Sequence, residues 1–224
     1  YFFTASDANV FTQTRNLVIL EEGASLQLAE DFRNASNIPV QYNHVAEVYV
    51  GNNANVDVAK LQLEVSNAIG IHTMESTVGN DANFNAATIT FASPNTGTNN
   101  TLIRNNMTAH LVGENAHAGL NGLYFGKETA HIDNHILVDH VAPNCNSKQL
   151  YKGVLNGESV GVFNGKIFVR KDAQKTNAFQ SNKNILLSDD GIINTKPQLE
   201  IYADDVKCSH GVTVGQLEDQ SVFY

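Results

Sequence analysis

Asn53-Ala54-Asn55-Val56 and, 28 residues later, Asp81-Ala82-Asn83-Phe84 share one pattern: a small residue between polar ones, leading into an alternating apolar run. The pattern recurs as Gly23-Ala24-Ser25-Leu26, Asn115-Ala116-His117-Ala118, Asn144-Cys145-Asn146-Ser147 and Asp172-Ala173-Gln174-Lys175. The central positions 24, 54, 82, 116, 145 and 173 lie at intervals of 30, 28, 34, 29 and 28, with Asp204-Asp205-Val206-Lys207 as a seventh about 31 later. A quasi-period of this length, built from strands and turns, predicts an all-β solenoid with one coil per repeat. Alternate side chains then point inward and stack on their equivalents in the next coil. Asn, Asp and Gly suit the left-handed corner positions. A β-sandwich with turns every 8–12 residues is the competing architecture, and the longer period favours the solenoid.

Outward from these repeats the texture is uniform. Short strand-like runs at 16–20, 45–50, 55–63, 87–91, 120–125 and 135–138 are separated by Gly, Asn, Asp and Ser. No window shows a sustained 3.6-residue period. The domain reading is one β-helix core over 1–216. Leu217-Glu218-Asp219-Gln220-Ser221-Val222-Phe223-Tyr224 reads as the opening of a helix, with acids in its first turn. The chain reads as the core of a longer protein.

Of the 224 residues, 14 are Lys or Arg and 23 are Asp or Glu, a formal net charge of −9. That balance argues against non-specific nucleic-acid or anionic-membrane binding. No apolar run approaches the roughly 20 residues of a membrane-spanning helix. Two cysteines make no disulfide framework, so a reduced, cytoplasmic protein is expected. The sequons at Asn34, Asn99 and Asn106 are then chance matches in an Asn-rich chain.

Candidate chemistry centres on Lys207-Cys208-Ser209-His210-Gly211. On a strand, Cys208 and His210 share a face and present a thiol beside an imidazole. These are soft metal ligands, or a nucleophile with its base. Two ligands cannot close a tetrahedral site, so a partner chain would supply the rest. His131, His135, His140 and Cys145 are a second candidate metal set, with Asp133 between the first two. Residues 131 and 135 share a strand face, whereas 140 lies beyond an odd step. His44, His72, His110 and His117 read as satisfied surface histidines. Lys166, Arg170, Lys171 and Lys175 form a local basic patch, read as a solvated face. There is no G-x-x-x-x-G-K-[ST] phosphate loop and no G-x-S-x-G elbow.

From residue 139 onward a family resemblance emerges. Tyr151-Lys152-Gly153-Val154-Leu155, Gly161-Val162-Phe163-Asn164-Gly165-Lys166-Ile167, Asn184-Ile185-Leu186-Leu187-Ser188, Lys196-Pro197-Gln198-Leu199-Glu200-Ile201 and the Cys208 segment follow in order. Together they resemble the SufB/SufD family of iron–sulfur cluster assembly scaffolds. The Cys-Ser-His-Gly form resembles the SufD branch rather than the SufB branch. The resemblance implies a right-handed parallel β-helix and a non-enzymatic scaffold of the SufBCD complex. It also implies pairing with a SufB-like paralogue, or with itself as a homodimer, through the C-terminal coils. A SufC-like ATPase would dock on the segment after them. No cofactor would be bound tightly to the isolated core. A transient iron–sulfur cluster would sit at the partner interface, with His210 and Cys208 as candidate ligands from this side, shared with a partner chain. The rival reading is a polysaccharide lyase-like β-helix enzyme with Asp189, Asp190, Asp204 and Asp205 as its acids.

Overall fold

The computed structural model describes residues 10–34, 39–64, 68–94 and 101–216. The helix expected over 217–224 lies outside the described residues. Fourteen strands follow in order. They are β1 (Val10–Leu20), β2 (Ser25–Asn34), β3 (Val40–Val50), β4 (Asn55–Glu64), β5 (Ala68–Val78), β6 (Asn83–Ala92) and β7 (Leu102–Leu111). Then come β8 (His117–Gly126), β9 (His131–His140), β10 (Asn146–Leu155), β11 (Val160–Val169), β12 (Asn177–Leu186), β13 (Ile192–Ile201) and β14 (Lys207–Gln216).

Odd strands form one sheet, in the order β1-β3-β5-β7-β9-β11-β13, and even strands form the other, β14-β12-β10-β8-β6-β4-β2. The pairings are parallel, as in β3 with β5 and β10 with β12. A sandwich of hairpins requires antiparallel neighbours, so the sandwich alternative fails and the chain is a β-solenoid with two strands per coil. Among the described residues no helix is long and apolar enough to cross a membrane, which says nothing of β-barrels.

The corners explain the repeat. Gly23, Asn53, Asp81, Asn115 and Asn144 all have positive φ, and each immediately precedes the small central residue of its repeat. Ala54, Ala82, Ala116 and Cys145 are fully buried at these corners. Short polar side chains tolerate the left-handed conformation. The sixth repeat needs correction. The positive φ falls on Lys175, and the register pairs Asn146 with Asn177, so Thr176 rather than Ala173 is the equivalent of Cys145. The corner before β12 is longer than its predecessors, which shifted the sequence match by three residues.

Between the sheets, inward columns alternate strictly with outward ones, as the burial of β7 and β11 shows. Phe84, Leu120, Ile132, Phe163 and Ile167 are sealed between coils. Each contributes roughly 1.5–3 kcal/mol through burial. The central tyrosines fit by exchange of volume. A Cβ on Gly122 would lie 2.1 Å from the Tyr151 ring, and one on Gly153 would lie 2.4 Å from the Tyr124 ring. In each column a glycine thus gives its space to the tyrosine of the adjacent coil.

Candidate functional site

The last coil carries the candidate ligands. Residues 207–216 of β14 continue the ladder of β12, with Cys208 opposite Ala178 and His210 opposite Gln180. Ala178 and Gln180 are both buried, so Cys208 and His210 lie on the inward face, side by side as the i, i+2 spacing requires. β13 and β14 end their sheets among the described residues, so no further coil covers that face. Cys208 is half-buried and His210 exposed.

Cys208 packs with Leu199 and Val206 against a small terminal core of Ile167, Val169, Ala173, Ala178 and Ala203. Burial pushes its thiol pKa up, against a backbone hydrogen bond at Ala178 that lowers it. In this chain alone it is a neutral thiol, and ligation requires a metal or partner charge to draw off the proton. His210 stands at the end of a polar column. The Gln180 amide donates to Gln149 Oε1 at 2.8 Å, and Gln149 donates onward to the Lys166 carbonyl at 3.4 Å. The Gln180 carbonyl oxygen is buried with no hydrogen-bond partner among the described residues, one strand from His210. Sequence reasoning missed this glutamine pair; the signal was their common place in the repeat, 31 residues apart. Among the described residues no group of three or more His, Cys, Asp or Glu is placed to hold a metal ion. Cys208 and His210 are thus two neighbouring donor side chains at the open end of the solenoid.

The second candidate set disperses. His131 and His135 face outward on β9, where His135 pairs with Asp133 at 2.9 Å. His140 points inward, fully buried, with Nε2 2.8 Å from Ser147 Oγ. Burial lowers its pKa to about 4, although the Asp139 charge pulls the other way. Cys145 is buried and donates to the Gly113 carbonyl at 3.2 Å. These are contacts within the solenoid wall and core, and the four side chains do not converge on one point.

Two histidines expected at the surface are core residues. His44 and His72 are 3% and 1% exposed. His44 bonds Thr14 at 2.7 Å and Glu30 at 3.1 Å, and His72 bonds the Tyr42 hydroxyl at 3.1 Å. Glu30 also faces buried Lys60 at 3.4 Å. Burial would raise the Glu30 pKa, but the His44 hydrogen bond and the Lys60 charge outweigh it and hold it at about 2. Desolvation drives His72 well below its ordinary value. His110 is partly exposed and bridges Asp139 and Glu75, at 3.1 and 3.2 Å.

The basic patch resolves into ion pairs between coils. Lys166 meets Glu200 at 2.8 Å, Arg170 grips Asp139 through two nitrogens at 2.9 and 2.8 Å, and Lys175 pairs with Asp205. Lys171 is exposed. The four acids of the lyase reading do not converge. Asp189 and Asp190 lie at the corner before β13, Asp204 and Asp205 at the corner after it. A strand of ten residues, roughly 33 Å, separates the two pairs.

Comparison with known proteins adds the final observation. The family model "SUF system FeS cluster assembly, SufBD core domain" matches residues 2–224. The likeness therefore reaches well before residue 139, where the sequence blocks first became specific. The chain is 42% identical to Escherichia coli iron–sulfur cluster assembly protein SufD over 123 residues, 55% of this chain and 29% of that protein. It is 32% identical to a SufBD family protein of Synechocystis across its whole length, covering 50% of that relative. It is 30% identical to the chloroplastic protein ABCI7 of Arabidopsis thaliana over 94% of this chain and 43% of that relative. The chain spans half or less of the length of these relatives.

Proposed function

The chain belongs to the SufBD core family, and on that premise we propose that it is a non-enzymatic scaffold of the Suf iron–sulfur cluster assembly system, completed at its last coil by a partner. The observation that carries this reading is the open inward face of β14, where Cys208 and His210 stand without a covering coil. Pairing with a SufB-like paralogue across this edge, or with a second copy, would satisfy the unpaired strand and bring further ligands. The nascent cluster is cargo at that seam. His210 offers an exposed imidazole to it, and Cys208 a thiol that becomes a thiolate on ligation. ATP hydrolysis belongs to a SufC-like partner docked beyond β14. Both cysteines are free, which fits a reducing, cytoplasmic setting.

The pairing is tested by sedimentation of the chain mixed with a SufB-like paralogue. Val214 lies on the inward face of β14 and is 49% exposed. Wild type is expected to form a complex that Val214→Asp loses. Complex formation unchanged in that variant contradicts pairing through the last coil.

A further inference from the structure

We propose that the outer face of the second sheet, across β10 and β12, docks an acidic amphipathic segment of a partner protein. The outward positions of β8, β10, β12 and β14 include no Asp or Glu. They carry Lys148, Lys152, Lys183 and Lys207, all exposed, and none of their ammonium groups has an ion-pair or hydrogen-bond partner among the described residues. The outer face of the first sheet differs: there Arg104 and Lys166 each hold a carboxylate within 2.9 Å, as does Arg170 just past the end of β11. The net charge of −9 conceals this contrast, because the acids of the described residues sit on the first sheet, on the corners and on β2 and β4, away from β8 to β14 of the second sheet.

Lys152 and Lys183 are direct register partners, so their Cα atoms lie about 4.8 Å apart. Like charges opposed across a ladder destabilise it, and nothing in the described chain relieves this pair. Apolar side chains are interleaved with the lysines. Leu123 is the register partner of Lys152, Phe179 is that of Lys148, and Ile185 follows Lys183 on the same strand face. These three are 45%, 46% and 42% exposed. An occupant must therefore bring carboxylates and apolar groups at matching close spacing. A helix with Asp or Glu three or four positions from Leu or Phe does so. A nucleic acid backbone offers phosphate but no aliphatic contact, and the net charge of the chain repels it at longer range.

The test uses a fluorescent synthetic helical peptide of about five turns with Glu on one face and Leu on the other. Its control is an isomer of the same composition with that pattern scrambled. Anisotropy titration of the chain is expected to show saturable binding of the patterned peptide. The double variant K152E/K183E should bind about tenfold or more weakly. The single variant K152E, which sets a carboxylate beside Lys183, should raise the thermal midpoint while also weakening the peptide. The proposal is overturned by absent binding, by equal binding to K152E/K183E or of the scrambled isomer, or by a lowered midpoint in K152E. Tighter binding of duplex DNA or of phosphatidylserine vesicles than of the peptide would also overturn it.

Discussion

His72 and His210 both occupy inward positions of the solenoid, yet one is sealed and the other open. His72 has a coil on either side, a tyrosine hydroxyl at 3.1 Å and an aromatic neighbour in Phe32 at 4.5 Å between ring centroids. His210 has a covered neighbour on one side only, the buried amide of Gln180. The difference is topological rather than chemical. In a solenoid an inward polar residue becomes structural when the next coil covers it, and stays exposed at the last described one. That makes the sealed interior expensive to alter and the open end cheap, and each variant below measures one side of this contrast.

The largest effect is expected within the sealed region. Lys60→Ala leaves Glu30 buried with only the His44 ring and the Asn16 amide for compensation, at a cost of about 3–5 kcal/mol read from denaturant midpoints. A cost below about 1 kcal/mol would show that the buried charges are not coupled as the distances indicate. Gly153→Ala follows, because its new methyl meets the rigid Tyr124 ring. Overpacking of this kind costs about 1–3 kcal/mol.

Acid should act on the same interior. The His140 pKa is depressed from an ordinary 6.5 to about 4, and that of His72 is depressed in the same direction. A depressed histidine contributes stability that is fully present above about pH 6.5 and is lost as pH falls through the folded value. Glu30, depressed from 4.5 to about 2, adds a second loss between those values. Thermal midpoints should therefore decline from about pH 6.5 downward, and His140→Gln should flatten the upper part of that decline. A profile flat to pH 4 would contradict the sealed state of these rings. The smallest effect is expected at the open end, where His210→Ala should alter stability by less than about 0.5 kcal/mol.

Much of the solenoid was legible because its period is local and repeated. Asn53, Asp81, Asn115 and Asn144 mark their own corners, since few other residues accept their backbone conformation. The longer corner over 170–176 broke that rule, and with Lys175 rather than Asn at positive φ the sixth repeat was misplaced. His44 was readable in principle. It shares the parity of Ala46, Val48 and Val50, which are plainly core, but a polar residue in that phase looks like a surface one until the columns are aligned. Glu30 and Lys60 were hidden for the same reason: their pairing spans one whole coil. Cys208 and His210 were singled out by type and spacing, and the register places both on the inward face. Their openness follows from the end of the ladder, which no local pattern reports.

The central claim is that the last coil contributes ligands to a shared cluster site. Its most direct test is iron–sulfur reconstitution on the chain mixed with a SufB-like paralogue, wild type against His210→Ala. The account predicts an intact complex with the cluster chromophore sharply reduced in the variant. Cluster formation at the wild-type rate and yield, in a complex that still assembles, would contradict it.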